Sequence, residues 1–138
     1  MEKIENVSRN KEHELALFCI YDALALSESQ TNFDVEELME GIFKMPFDEI
    51  PLFSKQLVVK SLSHINEIIP LFQEKMPKWS FSRLNMLERA LLIMSYTNGI
   101  ILHEADKKIV INIAINLSKK YLDKDDYKFV NAILDKII

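Results

Sequence analysis

The chain reads as all-helical. Its 138 residues include only two glycines and four prolines, too few for the many tight turns of a sandwich or barrel. Apolar residues recur at spacings of three and four in one segment after another, the period of a helix face. With 49% hydrophobic and 28% charged residues, the composition is that of one compact helical domain over residues 1–138. A chain of this length is expected to bury a sizeable core without disulfides or a structural metal.

The elements follow from the pattern. Residues 11–26, KEHELALFCIYDALAL, are strong helix formers, apolar nearly all the way round after Glu14. Such a helix belongs in the middle of a bundle. Asp34 followed by Glu37 has capping-box spacing for a helix over about 35–44, where carboxylates meet otherwise unpaired amides. Lys44 to Pro46 ends it. Residues 45–51 carry the weakest pattern, and a bend within a longer helical passage is one reading of them. Pro51 fits the first turn of a third helix, since its missing N–H would have had no helical partner. Val58, Leu62, Ile65, Ile69 and Phe72 then form one stripe along that helix, which Pro70 is expected to kink or end early.

Pro77 marks a break. Leu84, Leu87, Leu91 and Met94 define the next helix, with Asn98-Gly99 expected to supply the left-handed residue that closes it. Asp106 is the expected N-cap of a helix with Val110, Ile113, Ala114, Leu117 and Tyr121 on one side. Asp125 is the expected cap of the last, whose stripe is Phe129, Val130, Ile133, Leu134 and Ile137. The count is six or seven helices joined by short loops.

Several function classes fall to the same inspection. The longest unbroken apolar run, Leu15 to Tyr21, is seven residues, against the roughly 20 a membrane-spanning helix needs. The first residues, MEKIENVSRNKEHE, carry charge throughout and lack the apolar stretch of a secretory signal, so a cytoplasmic location is expected. Cys19 is the only cysteine and sits among apolar neighbours, which suits a buried small hydrophobe in a reducing compartment. Gly41 and Gly99 stand far apart, so no glycine-clustered phosphate loop exists. His13, His64 and His103 are scattered, with no i, i+4 pair for a helical metal site. No catalytic constellation, metal site or cofactor is expected, and the weight moves to a binding protein rather than an enzyme.

Charge says less. Seventeen basic residues against 21 acidic ones give a net charge of -4, so no global positive field draws the protein to nucleic acid. From Asp106 onward, however, there are seven lysines and five aspartates. Lys119, Lys120, Lys124 and Lys128 gather around one turn region, as a modest basic patch or as a solvated helix face.

The carboxy-terminal half carries a family resemblance. It runs Trp79-Ser-Phe-Ser-Arg83-Leu84, then Glu88-Arg89-Ala90-Leu91-Leu92, Tyr96, Val110-Ile111-Asn112, and Leu117-Ser118-Lys119-Lys120-Tyr121. It closes on KFVNAILDK, residues 128–136. This resembles the NusB family of bacterial transcription antitermination factors, whose KFVNGVLDK is matched with Ala132 in place of Gly. The spacing from the RL and ERA blocks to that end also fits. The resemblance covers the whole chain, strongly from Trp79 onward. Before that it rests mainly on an ALxxxYxxL-like run from Ala16 to Leu24 that includes Tyr21.

The resemblance implies an all-α protein built as two packed helical bundles, which pairs with the small-subunit ribosomal protein NusE. The pair recognises single-stranded boxA RNA and joins a complex that lets RNA polymerase read through terminators in ribosomal RNA operons. It involves no membrane and no cofactor, and self-association into a homodimer stays open. A basic companion suits a chain at -4 that must approach phosphate. Where the family's first helix opens with several arginines, this chain has Arg9-Asn10-Lys11-Glu12-His13-Glu14, leaving Arg9, Lys11 and His13 as phosphate contacts interleaved with acids.

Asp125, Lys128 and Phe129 fall on the family's DxxKF positions at its RNA-contacting end. A ring beside a lysine suits unpaired RNA, because bases stack on it at roughly 1–3 kcal/mol each. Core packing is the competing reading of Phe129, which lies on the apolar stripe. Tyr21 and Glu88 match positions near the RNA and NusE surfaces. Each has a plainer reading, Tyr21 as one more apolar residue of the first helix and Glu88 as an exposed helix acid. The family's INEA becomes Ile111-Asn112-Ile113-Ala114 here, which removes one charge. The basic arm is thinned enough that a second reading follows: a helical protein-interaction domain that has lost RNA recognition. The NusB-like fold also occurs appended to RNA cytosine methyltransferases, but 138 residues leave no room for a cofactor-binding sheet.

Overall fold

A computed structural model describes residues 7–138. Seven α-helices run in order: α1 (Arg9–Glu28), α2 (Val35–Phe43), α3 (Leu52–Ser63), α4 (Ile65–Lys75), α5 (Met86–Tyr96), α6 (Lys107–Tyr121) and α7 (Asp126–Ile137). No strand occurs among the described residues, and none of their helices is long and apolar enough to cross a membrane. The first six residues, part of the charged amino terminus read above, lie outside the described range.

α1 is the central helix the sequence predicts. Leu15, Ala16, Leu17, Cys19, Ile20, Ala23 and Leu24 are all buried, and consecutive residues of a helix point to different sides, so partners must surround it. It packs on α2, α3 and α5. α5 in turn touches α3, α4, α6 and α7, so the two groups α1–α3 and α4–α7 meet along the α1–α5 contact. Arg89 of α5 reinforces that seam, its guanidinium 2.6 Å from the Glu28 carboxylate of α1. Cys19 is buried as expected, and burial, with Asp22's charge second, pushes its thiol up to about 12.

Caps fall where short polar side chains precede apolar stripes. Ser8 accepts from the Lys11 amide, Asp34 from the amides of Glu36 and Glu37, Asn85 from Leu87 and Glu88, and Asp106 from Ile109. Lys44 closes α2 in the left-handed region at φ 58°. A single 3₁₀ turn over Phe47–Glu49 carries the chain to Pro51, which sits just before α3 rather than inside its first turn.

Three expectations need correction. The stripe from Val58 to Phe72 is carried by two helices, because the chain turns at His64 and restarts as α4. Pro70 lies inside α4 without ending it; Ile68 and Phe72 on either side are fully buried, and that packing offsets the lost hydrogen bond. Asn98-Gly99 does not close α5 in a left-handed turn. The chain widens into a π-helical segment over Thr97–Ile101, with the Leu102 amide donating to the Thr97 carbonyl at 2.9 Å. The left-handed residue comes later, at His103 with φ 52°. Gly99 serves close approach instead, since a Cβ there would lie 3.3 Å from Ile138 Cγ2. Third, Asp125 precedes α7 without capping it through its side chain.

Candidate nucleic-acid interface

The start of α1 presents cations that acids already hold. The Arg9 guanidinium lies 3.8 Å from the centroid of the Phe53 ring, with its Nε 3.5 Å from the Glu12 carboxylate. Glu12 is buried and accepts from Ser54 Oγ at 2.9 Å, so the arginine stem is fixed from below while its head stays about half exposed. Lys11 pairs with Glu14 at 3.3 Å, and the other oxygen of Glu14 takes Lys120 of α6 at 2.7 Å. Lys120 holds the Glu14 carboxyl below its ordinary value.

That one carboxylate joins two regions 106 positions apart in sequence, the amino-terminal arm and the lysine cluster of α6. Aromatic rings sit among these cations. Lys120 Nζ lies 5.3 Å from the Tyr121 ring, Tyr121 meets Phe18 edge-on at 5.2 Å, and Lys119 Nζ lies 4.6 Å over the Tyr127 ring. Tyr21, one turn beyond Phe18 on α1, is 38% exposed. Spacing alone could not reveal this meeting of α1 and α6, because no periodic pattern specifies which helices lie side by side.

His13 is a different kind of residue from the one expected. It is buried, with Nδ1 2.8 Å from the Arg9 carbonyl and Nε2 3.3 Å from Asn98 Nδ2. The carbonyl requires a proton on Nδ1, so Nε2 accepts from the Asn98 amide and the ring is neutral. Burial lowers its pKa, with Arg9's charge adding to the fall. A neutral, enclosed ring is poorly placed to meet phosphate; its geometry ties the arm to the π segment.

Glu88 also departs from the exposed acid of the sequence reading. It is only 6% exposed, and burial, with Asp126's charge second, pushes its carboxyl up to about 7. It therefore belongs to the seam between α5 and the start of α7. Asp125 and Lys128 are exposed and face each other at 3.5 Å. Phe129 is half-buried, and its ring lies 6.1 Å from that of Trp79, tilted by 60°. Adjacent helix positions diverge by about 100°, so Lys128 and Phe129 address different directions. Trp79 was legible only as part of a motif string, and its position beside Phe129 is new.

Known proteins match this arrangement along nearly its whole length. The NusB family model matches residues 10–138. Among relatives, the transcription antitermination protein NusB of Treponema denticola is 41% identical over 86 residues, 62% of this chain and 63% of that one. The protein of the same description from Lysinibacillus sphaericus is 33% identical over 106 residues, 77% of this chain and 81% of that one. That of Macrococcus caseolyticus is 28% identical across 96% of this chain and 97% of its own. In structure, antitermination factors NusB and NusE in complex with dsRNA give a TM-score of 0.77 at 25% identity, covering 94% of each chain. T. maritima NusB gives a TM-score of 0.81 at 20% identity over 94% of this chain and 89% of that one, a likeness of fold. A seven-helix chain with this seam and this closing motif, matched by the family model from residue 10 to its last residue, belongs to the NusB family.

Proposed function

We propose that this chain is a noncatalytic RNA-binding adaptor in transcription antitermination. It pairs with the ribosomal protein NusE and recognises boxA-like single-stranded RNA of ribosomal RNA operons, through a surface running from Arg9 and Lys11 across Glu14 to Lys119 and Lys120. What carries the reading is the Glu14 bridge, which gathers cations of α1 and α6 beside Tyr121 and Phe18. Clustered ammonium groups release counterions when phosphate arrives, and neighbouring rings offer stacking faces for unpaired bases. His13 supports this surface from beneath, Glu88 shapes the α5–α7 seam toward the partner, and Tyr21, Asp125, Lys128 and Phe129 lie on its flanks.

The chain's net charge of -4 explains why a cationic companion matters. Alone, the protein opposes phosphate over most of its surface, and local pairing consumes part of its positive charge. The test is a titration of labelled boxA RNA at a stated salt concentration, with and without NusE. A clear gain in affinity with the partner is expected; its absence overturns the reading. The pairing of Arg9 and Lys11 with acids favours one alternative, a helical interaction domain without RNA recognition. NusE binding with no preference for boxA over a scrambled RNA would select that alternative.

A further inference from the structure

Where the start of α6 meets the end of α7, the two helices leave a groove of about 490 Å³ between them. Lys107 closes one end of it: its Nζ donates to the Asp135 carbonyl at 2.8 Å and lies 3.1 Å from the Asp135 carboxylate. Ile111 and Ile115, one turn apart on α6, form the floor, the first buried and the second half-buried. Ile109, 51% exposed one turn before Asn112, continues the apolar surface past the rim.

The walls carry Asn112 of α6 and Asn131 of α7, both exposed. Neither side-chain amide has a hydrogen-bond partner among the described residues. Each offers two donors and a carbonyl acceptor. Two such amides on facing helices match the N–H and C=O groups that an extended backbone presents along its edges, and aliphatic side chains of the same strand fall toward the isoleucines. Charge narrows the occupant further. Lys107 and Asp135 neutralise each other, whereas Lys108 lines the groove without an ion pair among the described residues, so the one uncompensated charge of the lining is positive.

We propose that this groove docks an extended, acidic segment of a protein partner. The segment's backbone hydrogen-bonds Asn112 and Asn131, an aliphatic side chain covers Ile111 and Ile115, and a carboxylate meets Lys108. Nucleic acid fits this lining poorly, because no aromatic ring is there to stack a base and a single free ammonium group releases few counterions. The proposal does not rest on the RNA-binding reading. The Glu14 bridge takes Lys120 from the last turn of α6, so a segment seated near Lys108 leaves that surface open.

The experiment follows side-chain amide and isoleucine methyl signals of the full chain by NMR, during titration to about 1 mM with a capped octapeptide alternating valine and glutamate. Its comparison probes are the same peptide with N-methylated backbone, a valine and lysine peptide, and an unpaired RNA. The amides of Asn112 and Asn131 and the methyls of Ile111 and Ile115 are expected to shift together and saturably. Asn112→Ala with Asn131→Ala should weaken binding about tenfold, and Lys108→Glu similarly, with unchanged melting temperatures, since all three side chains are exposed and unpaired. No shift at these residues overturns the proposal, and so does an equal response to the N-methylated or the lysine peptide. Stronger shifts with RNA overturn it in favour of a nucleic-acid contact. The same shifts on raising protein concentration without peptide overturn it in favour of a second copy of the chain.

Discussion

Glu88 of α5 and His13 of α1 are buried titratable groups, and their pKa values move in ways that leave both neutral more readily than in water. For Glu88 the folded value of about 7 stands above the ordinary 4.5, so folding favours the protonated carboxyl. Its contribution to stability is complete below pH 4.5 and is lost as pH rises through 7. Glu88→Gln, which mimics the neutral acid, should match the parent at pH 4.5 and exceed its stability at pH 8 by about 1–3 kcal/mol at most. Thermal melts at the two pH values check this, and a difference that does not change with pH would refute it. His13 contributes with the opposite sign: its lowered pKa favours the neutral ring, so its share of stability is present above pH 6.5 and falls away in acid. Acid should therefore loosen the start of α1, where Arg9 and Lys11 stand.

Helices here are held by caps and by partners, and the two can be tested separately. Asp34 accepts two amides of α2, at 2.8 and 3.3 Å, so Asp34→Ala should cost about 1 kcal/mol in urea denaturation. Gly41 lies in the same helix with nothing within 4 Å of where a Cβ would stand. Gly41→Ala should therefore stabilise by about 0.5–1 kcal/mol, because alanine loses less backbone freedom on folding. A fall in melting temperature would show an unseen constraint on α2. At α5 the logic differs. Its continuation into a π segment places Thr97 against Ser61 of α3, hydroxyl to hydroxyl at 2.8 Å, and Asn98 against His13 of α1. The segment fastens both bundles, which is why a simple helix stop at Gly99 would not serve.

At the scale of the molecule, the proposed function asks a net negative chain to bind a polyanion through a local surface, so salt should act on that surface alone. Lys119 lies over Tyr127 rather than against an acid. Lys119→Ala should weaken RNA binding by the NusE pair and reduce the slope of log affinity against log salt by about 0.7–1. An unchanged slope would place the strand elsewhere. Residue pairs distant in sequence build this surface, with Glu14 and Lys120 the clearest case.

Periodicity and caps were enough to specify helices, their apolar faces and most of their ends, because those depend on neighbours a few positions away. Asp34, Lys44, Asp106 and the all-round apolar α1 are legible in that way, and the closing KFVNAILDK carried the family. Packing decided the rest. The turn at His64 looks from sequence like an unbroken stripe, since both helices bury the same kind of residue. His13 and Glu88 read as surface groups until neighbouring helices enclose them. Phe129 finds its aromatic neighbour in Trp79 and shares its helix face with Lys136, not with the adjacent Lys128. Local rules say how each segment coils, but burial, charge pairing and the shape of a groove arise only where segments meet, and those meetings are set by the summed packing of the whole chain.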